Sequence, residues 1–293
     1  MGDSLGNVAF VGLGVMGYPM AGHLAAKGYS VTVYNRSAAR AEAWTAQHGG
    51  KAAATPREAA SGASVVFACV GNDDDVRSVV YGDDGIFAGL DANAVFVDHT
   101  TASADLAREL NEAANERGVR FLDGPVSGGQ AGAENGALTV MVGGEQATFD
   151  ECKPAMDCYG KAVTLMGPAG NGQLTKMANQ ICIAGLVQAL SEAMNFSVRA
   201  GLDGDVVLDV ISKGAAQSWQ MENRGKTMIR DEFDFGFAVN WMRKDLAICL
   251  AEANKNGFRL PVTALVDQFY AAVQAKGGGR WDTSSLIANL SKD

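Results

Sequence analysis

Two domains fit within 293 residues, and 47% hydrophobic against 19% charged residues excludes a disordered chain. With 24 basic and 33 acidic side chains and a formal net charge of −9, no basic stripe is available to neutralise a phosphate backbone, so nucleic acid is not an expected partner. Cys69, Cys152, Cys158, Cys182 and Cys249 never form a Cys-x-x-Cys pair, and His23, His48 and His99 stand in no ligand spacing, so reduced core thiols and no metal are expected.

The first segment, 8–11, is a β-branched run cut short by Gly12 and Gly14, too brief for the apolar core of a secretory leader, and a cytoplasmic protein is expected. From there to about 165, such runs alternate with Ala-rich helical stretches. Strands are predicted at 8–11, 30–34, 64–70, 94–98, 119–123, 139–142 and 162–165. Helices are predicted at 17–27, 37–48, 103–117 and 146–158, closed by left-handed caps near Gly28, Gly49, Gly118 and Gly160. After Gly167-Pro168-Ala169-Gly170 only helices are predicted, at 171–200, 205–212, 218–230, 240–256, 261–276 and 284–290. The expected fold is α/β: a doubly wound, mostly parallel sheet over 1–167 followed by an all-α domain over 168–293. The uncharged stretch 177–191 is shorter than the roughly 20 residues that cross a bilayer, so it reads as a buried helix and no membrane partner is expected.

Between the first strand and helix, Gly12-Leu13-Gly14-Val15-Met16-Gly17 sets out Gly-x-Gly-x-x-Gly. Gly12 permits the tight turn, Gly14 lets a pyrophosphate approach the backbone, Gly17 allows close helix packing, and the N–H groups of the helix start face the anion. These six residues are the expected dinucleotide-binding turn. An NAD site normally offers a carboxylate at the end of the second strand; this chain has Asn35-Arg36-Ser37. Arg36 can meet a 2′-phosphate with two charge-assisted hydrogen bonds, and Asn35 and Ser37 can add donors. NADP(H) is therefore favoured, with NAD(H) the alternative if Arg36 is only a solvated charge. The strand-end segments Cys69-Val70-Gly71-Asn72 and Asp98-His99-Thr100-Thr101 are expected beside the adenosine and, through Thr101, the nicotinamide, with plain loop positions the alternative for Asn72, His99 and Thr100.

In Asp123-Gly124-Pro125-Val126-Ser127-Gly128-Gly129 a strand runs into a turn with one hydroxyl and two glycines. Ser127, Gly128 and Gly129 can aim several N–H groups at a substrate carboxylate, or form a bare β-turn. No Gly-x-Ser-x-Gly pattern supports a nucleophilic Ser127. On the helix opened by Gly170-Asn171-Gly172, Lys176, Asn179 and Gln180 share one otherwise apolar face. An ammonium there is costly to bury without a partner or a task. Either Lys176 donates a proton to the oxygen of a carbonyl being reduced, with Asn179 and Gln180 orienting it or the substrate, or it snorkels to solvent. Farther on, Phe237 and Trp241-Met242-Arg243-Lys244-Asp245-Leu246 join aromatic bulk to a candidate ion pair, a pattern that by itself also fits a solvated helix entrance.

Together these stretches, over nearly the whole chain, resemble the β-hydroxyacid dehydrogenase family. The resemblance implies a Rossmann-type domain, then a helical domain, with small hydroxy acids and their aldehydes or ketones interconverted at the cleft between them. It implies Lys176 as the catalytic lysine, Ser127, Gly128 and Gly129 as the substrate turn with Phe237 nearby, Thr101 on the nicotinamide side, and Lys244 with Asp245 closing over cofactor and substrate. Two departures stand out. Gln180 replaces an Asn common in relatives, so Asn179 shares its expected role, and His99 replaces a Met or Ser, so a different substrate choice is expected. The expected reaction is NADPH-dependent reduction of a small carboxylate-bearing aldehyde (glyoxylate, or succinic, tartronate or methylmalonate semialdehyde), or its reverse, by a homodimer or homotetramer. An NAD-dependent 3-hydroxyisobutyrate or serine dehydrogenase is the first alternative. A non-catalytic nicotinamide-binding sensor is the second, and an imine reductase, which usually lacks a lysine at this position, the third.

Overall fold

In the computed structural model, which describes residues 6–290, the central strands of the first half are buried on both faces. Val8, Phe10, Val31, Val33, Phe67 and Val97 enter one core with Leu24 and Trp44, while Ala9, Val11, Val66, Phe96 and Phe121 enter a second with Leu106 and Leu110. Apolar residues on both sides of each strand are what a parallel sheet sandwiched between helices requires. Nine strands stand among the described residues: β1 (Asn7–Val11), β2 (Ser30–Tyr34), β3 (Lys51–Ala52), β4 (Val65–Ala68), β5 (Val95–Asp98), β6 (Arg120–Asp123), β7 (Val126–Ser127), β8 (Leu138–Gly144) and β9 (Gly160–Leu165). The path β3-β2-β1-β4-β5-β6 is parallel throughout; β8 then joins β6 antiparallel, with β7 antiparallel and β9 parallel to β8. Strand order reverses between β1 and β4, and ligands of such sheets bind outside the carboxyl ends of strands at that reversal.

Helices α1 (Gly17–Ala26), α2 (Ala38–His48), α3 (Pro56–Ala60), α4 (Asp73–Val80), α5 (Ile86–Gly89), α6 (Ala104–Asn115), α7 (Gly129–Glu134) and α8 (Gln146–Met156) complete the first unit with the start of α9 (Asn171–Arg199). Not predicted from the sequence are β3 and β7, which have two residues each, α3, α5 and α7, which are too short to show a period, and α4, whose first turn is three successive aspartates. Gly28, Gly49 and Gly118 take the expected positive φ, but Gly160 does not: it begins β9.

The chain divides into two compact units between Lys176 and Met177, inside α9, whereas the expected boundary was the Gly167-Pro168 turn. The second unit holds the rest of α9 with α10 (Gly204–Ile211), α11 (Trp219–Ile229), α12 (Val239–Asn256), α13 (Pro261–Ala275) and two 3-10 turns. Ala184 and Val187 of α9 meet Met242 and Leu246 of α12 and Val266 and Tyr270 of α13 in one core. With 29 residues, α9 is long and apolar enough by length and composition to cross a membrane, which 177–191 alone is not. It nonetheless carries buried Gln173, Lys176, Gln180, Gln188 and Ser191. The expectation of core thiols holds for Cys152 and Cys249; Cys69 and Cys158 are half-buried and Cys182 is exposed.

Candidate active site

The three glycines of the turn after β1 differ in what surrounds them. Gly12 takes φ +94°, and a Cβ there would strike the carbonyl oxygen of Cys69. A Cβ on Gly17 would strike the Gly12 carbonyl and come within 2.9 Å of Phe10, so α1 can start this close to β1 only with glycine. Above Gly14 a Cβ would meet nothing within 4 Å. The helix ladder begins with Tyr18 N–H donating to Gly14 and Met20 N–H to Met16, so the N–H groups of Val15, Met16 and Gly17 precede it. No carboxylate lies in the first turn of α1. An open approach, first-turn donors and no opposing charge together fit a pyrophosphate.

Leu13 is fully buried, and its backbone is engaged: its N–H donates to Asn35 Oδ1 at 2.9 Å, and its carbonyl accepts from Arg40 Nε. Asn35 Nδ2 donates to the Ser37 carbonyl at 3.2 Å, so this side chain braces the glycine turn rather than reaching out as a phosphate donor. Ser37 caps α2 through its backbone, with its side chain making no cap bond. The Arg36 side chain is 93% exposed, 4.0 Å from Asp75. Asn72 Oδ1 accepts from Asp75 N–H at 2.9 Å and caps α4, which ties the Cys69–Asn72 segment down at its far end. Val70 N–H donates to Thr100 Oγ1 at 3.0 Å.

His99 corrects one expectation. It is 1% exposed and stacks on Phe67, so its side chain is packed inside the sheet core rather than presented at the strand end. Because the Gly124 carbonyl can only accept, His99 Nδ1 carries the proton, and Nε2 accepts from the Tyr159 hydroxyl at 2.8 Å. Burial pushes its imidazole down to about 4. The same burial pushes the neighbouring Asp98 carboxyl up to about 7, even though Thr100 N–H donates to it at 3.0 Å.

Gly128 and Gly129 take φ +134° and +62°, where a side chain would be strained, and a Cβ on Gly129 would meet nothing within 4 Å. Ser127 sits opposite Thr139 in the β7–β8 ladder. Just before this turn, fully buried Asp123 accepts from Gly170 N–H at 2.7 Å and Gln173 N–H at 2.9 Å, fastening the start of α9 to the end of β6. Burial raises the Asp123 carboxyl above the usual range against the pull of those N–H groups. One turn on from Gln173 stands Lys176, 6% exposed. That burial overturns the snorkelling alternative.

In the second unit four predicted residues form a chain. Asn179 donates to Gln180 Oε1 at 2.8 Å, Gln180 donates to Asp245 Oδ2 at 2.6 Å, and Lys244 pairs with Asp245 Oδ1 at 2.8 Å. Asp245 is 3% exposed and Gln180 1%, which excludes the solvated-entrance alternative. Both polar ends of Gln180 are engaged, one by Asn179, which is half-buried, and the other by Asp245. Phe237 is half-buried against the α9–α12–α13 core. A cavity of about 650 Å³ in the second unit is lined by Asp231, Phe233, Asp234, Lys276, Arg280, Trp281 and Ala288 and contains no predicted site residue. Asp123, Gln173 and Arg40 were missed, because nothing local in the sequence marks their partners.

Two families match in sequence order: the NAD binding domain of 6-phosphogluconate dehydrogenase over residues 7–167, and the NAD-binding domain of NADP-dependent 3-hydroxyisobutyrate dehydrogenase over 170–290. The chain belongs to the β-hydroxyacid dehydrogenase family. Among family members, an "uncharacterized oxidoreductase" of Shewanella frigidimarina is 63% identical over 98% of this chain and 99% of its own. The 2-hydroxy-3-oxopropionate reductase of Escherichia coli is 34% identical over 97% of this chain and 96% of its own. The solved structure of Mycobacterium tuberculosis 3-hydroxyisobutyrate dehydrogenase with L-serine is 28% identical and superposes with a TM-score of 0.88 over 98% of this chain and 99% of that one. As a β-hydroxyacid dehydrogenase, this chain is an oxidoreductase that binds a nicotinamide dinucleotide, and the Gly12–Gly17 turn has the shape such a group needs.

Proposed function

We propose that this β-hydroxyacid dehydrogenase reduces a small carboxylate-bearing aldehyde with NADPH, Lys176 donating the proton to the carbonyl oxygen, and runs the reverse oxidation with the roles inverted. The bound nicotinamide supplies or accepts the hydride. The observation that carries the reading is the burial of Lys176 on a helix start clamped by Asp123. A buried ammonium held on a fixed turn is pre-oriented toward an oxygen that gains negative charge, which is worth more than the same group in water. Ser127 and the N–H groups of Gly128 and Gly129 hold the substrate carboxylate, and Thr101 faces the nicotinamide side. The E. coli relative, named for 2-hydroxy-3-oxopropionate, supports a three-carbon semialdehyde acid as the first substrate to try.

Arg36 and Ser37, with Arg40 one turn into α2, supply two guanidinium groups and a hydroxyl for a 2′-phosphate. The exposure of Arg36, with Asp75 only at 4.0 Å, favours a second reading in which the site also accepts NAD(H) and oxidises 3-hydroxy acids or serine. Self-association as a homodimer or homotetramer belongs to the same proposal, supported by exposed Phe196, Val206, Val210 and Val262; equilibrium sedimentation checks it.

Initial rates with glyoxylate, succinic, tartronate and methylmalonate semialdehydes and with 3-hydroxy acids and serine, each with both nicotinamides, test the reading. A semialdehyde acid turned over faster with NADPH, with the preference reduced about tenfold or more in Arg36→Ala, is expected. Equal use of both nicotinamides, unchanged by that substitution, would support the second reading.

A further inference from the structure

Gln173, the third residue of α9, is 1% exposed, and its side chain belongs to a different part of the fold from its backbone. Its Oε1 accepts from Ala102 N–H at 3.0 Å and its Nε2 donates to the Thr100 carbonyl at 2.7 Å. One planar amide thus grips the β5–α6 loop on both sides of Thr101. The Gln173 backbone N–H is meanwhile received by Asp123 Oδ2 at the end of β6. Thr100 is fixed from two further directions, by Val70 N–H on its hydroxyl and by its own N–H on Asp98. Lys176 follows Gln173 at i+3 on the same helix, one turn along.

We propose that Gln173 is a positioning residue: it sets the Thr101 loop in register with Lys176, using the side-chain amide as the gauge and the Asp123-held helix start as the anchor. This rests on the reading above that Thr101 and Lys176 serve one reacting centre. The uncharged amide offers a donor and an acceptor in one plane at this reach. A carboxylate would turn an acceptor toward the Thr100 carbonyl, and an apolar side chain would leave a buried N–H and C=O without partners. A loop released from both ends shifts by a fraction of an ångström or more, and displacements of about 1 Å near a reacting centre can cost about 100-fold in rate.

The test is Gln173→Met and Gln173→Glu in the full chain, read by amide exchange over residues 99–103 with and without NADPH, and by turnover of 2-hydroxy-3-oxopropionate. In Gln173→Met, exchange of that segment should speed up about tenfold or more and kcat fall about 10- to 100-fold, while KM and the NADPH dissociation constant stay within about threefold. In Gln173→Glu, both readouts should return toward native as pH falls from 8 to 5, because the protonated carboxyl again offers one donor and one acceptor. Native exchange and native kcat in Gln173→Met would overturn the proposal, as would a kcat loss matched by lost NADPH affinity. If Gln173→Met does not fold, a Gln173→Glu profile parallel to native at every pH overturns it. Full turnover in Lys176→Met would sink the functional reading instead, and the exchange data alone would then decide whether the clamp exists.

Discussion

Gln180 on α9 donates its amide to the carboxylate of Asp245 on α12 at 2.6 Å, and the other oxygen of that carboxylate holds Lys244 at 2.8 Å. Asp245 therefore joins Gln180 of α9 to Lys244 of its own helix. Gln180→Leu leaves a buried carboxylate oxygen without its donor, a loss of about 1–3 kcal/mol or more. Urea unfolding should show this as a lower midpoint with an unchanged slope; a native midpoint would mean that Asp245 does not depend on Gln180.

The glycine turn separates a binding role from a folding role. Gly14→Ala adds a methyl group into open space, so melting should stay at the native temperature while NADPH binding weakens about tenfold or more. Gly17→Ala forces a collision with the Gly12 carbonyl and with Phe10 and should destabilise by about 1–3 kcal/mol before any effect on binding. Calorimetry beside a fluorescence titration distinguishes the two. The assignment fails if Gly14→Ala binds normally or if Gly17→Ala melts like the native chain.

These glycines were legible in the sequence because their signal is local: spacing between a strand and a helix. The same holds for α9, whereas the Lys244-Asp245 pair stood out only through the family resemblance, its spacing fitting a solvated helix entrance equally well. His99 was misjudged because a strand-end residue can point into the sheet core as readily as toward a ligand, and only Phe67 and Tyr159 show which. Gln173 was invisible because its side-chain partners lie 71 and 73 positions away, and Asp123 because its helix-start partners lie 47 and 50 away. Contacts at such separations leave no periodic trace. Short elements such as β3, β7 and α5 were missed because two to four residues cannot display a period.

Asp98 and His99 form a pair with opposing pH responses. Unfolded His99 takes a proton near 6.5 and the folded residue only near 4, so its contribution is present above pH 6.5 and lost as pH falls toward 4. Asp98 is protonated near 7 when folded and near 3.8 when unfolded, so folding gains as pH falls through that window. Each effect is on the order of 3 kcal/mol, and they offset one another. Asp98→Asn should make the melting temperature fall with decreasing pH between 7 and 4 relative to native, and His99→Phe should make it rise. Two variants running parallel to native across this range would contradict the assignment.

Lys176→Met keeps the length of the stem on α9 and removes the ammonium. Its turnover with NADPH and 2-hydroxy-3-oxopropionate, measured beside a nicotinamide fluorescence titration, is the direct test of proton donation. The account predicts a fall in kcat of about 10²- to 10⁴-fold with the NADPH dissociation constant within about threefold of native. Native turnover, or a loss explained wholly by weaker NADPH binding, would contradict it.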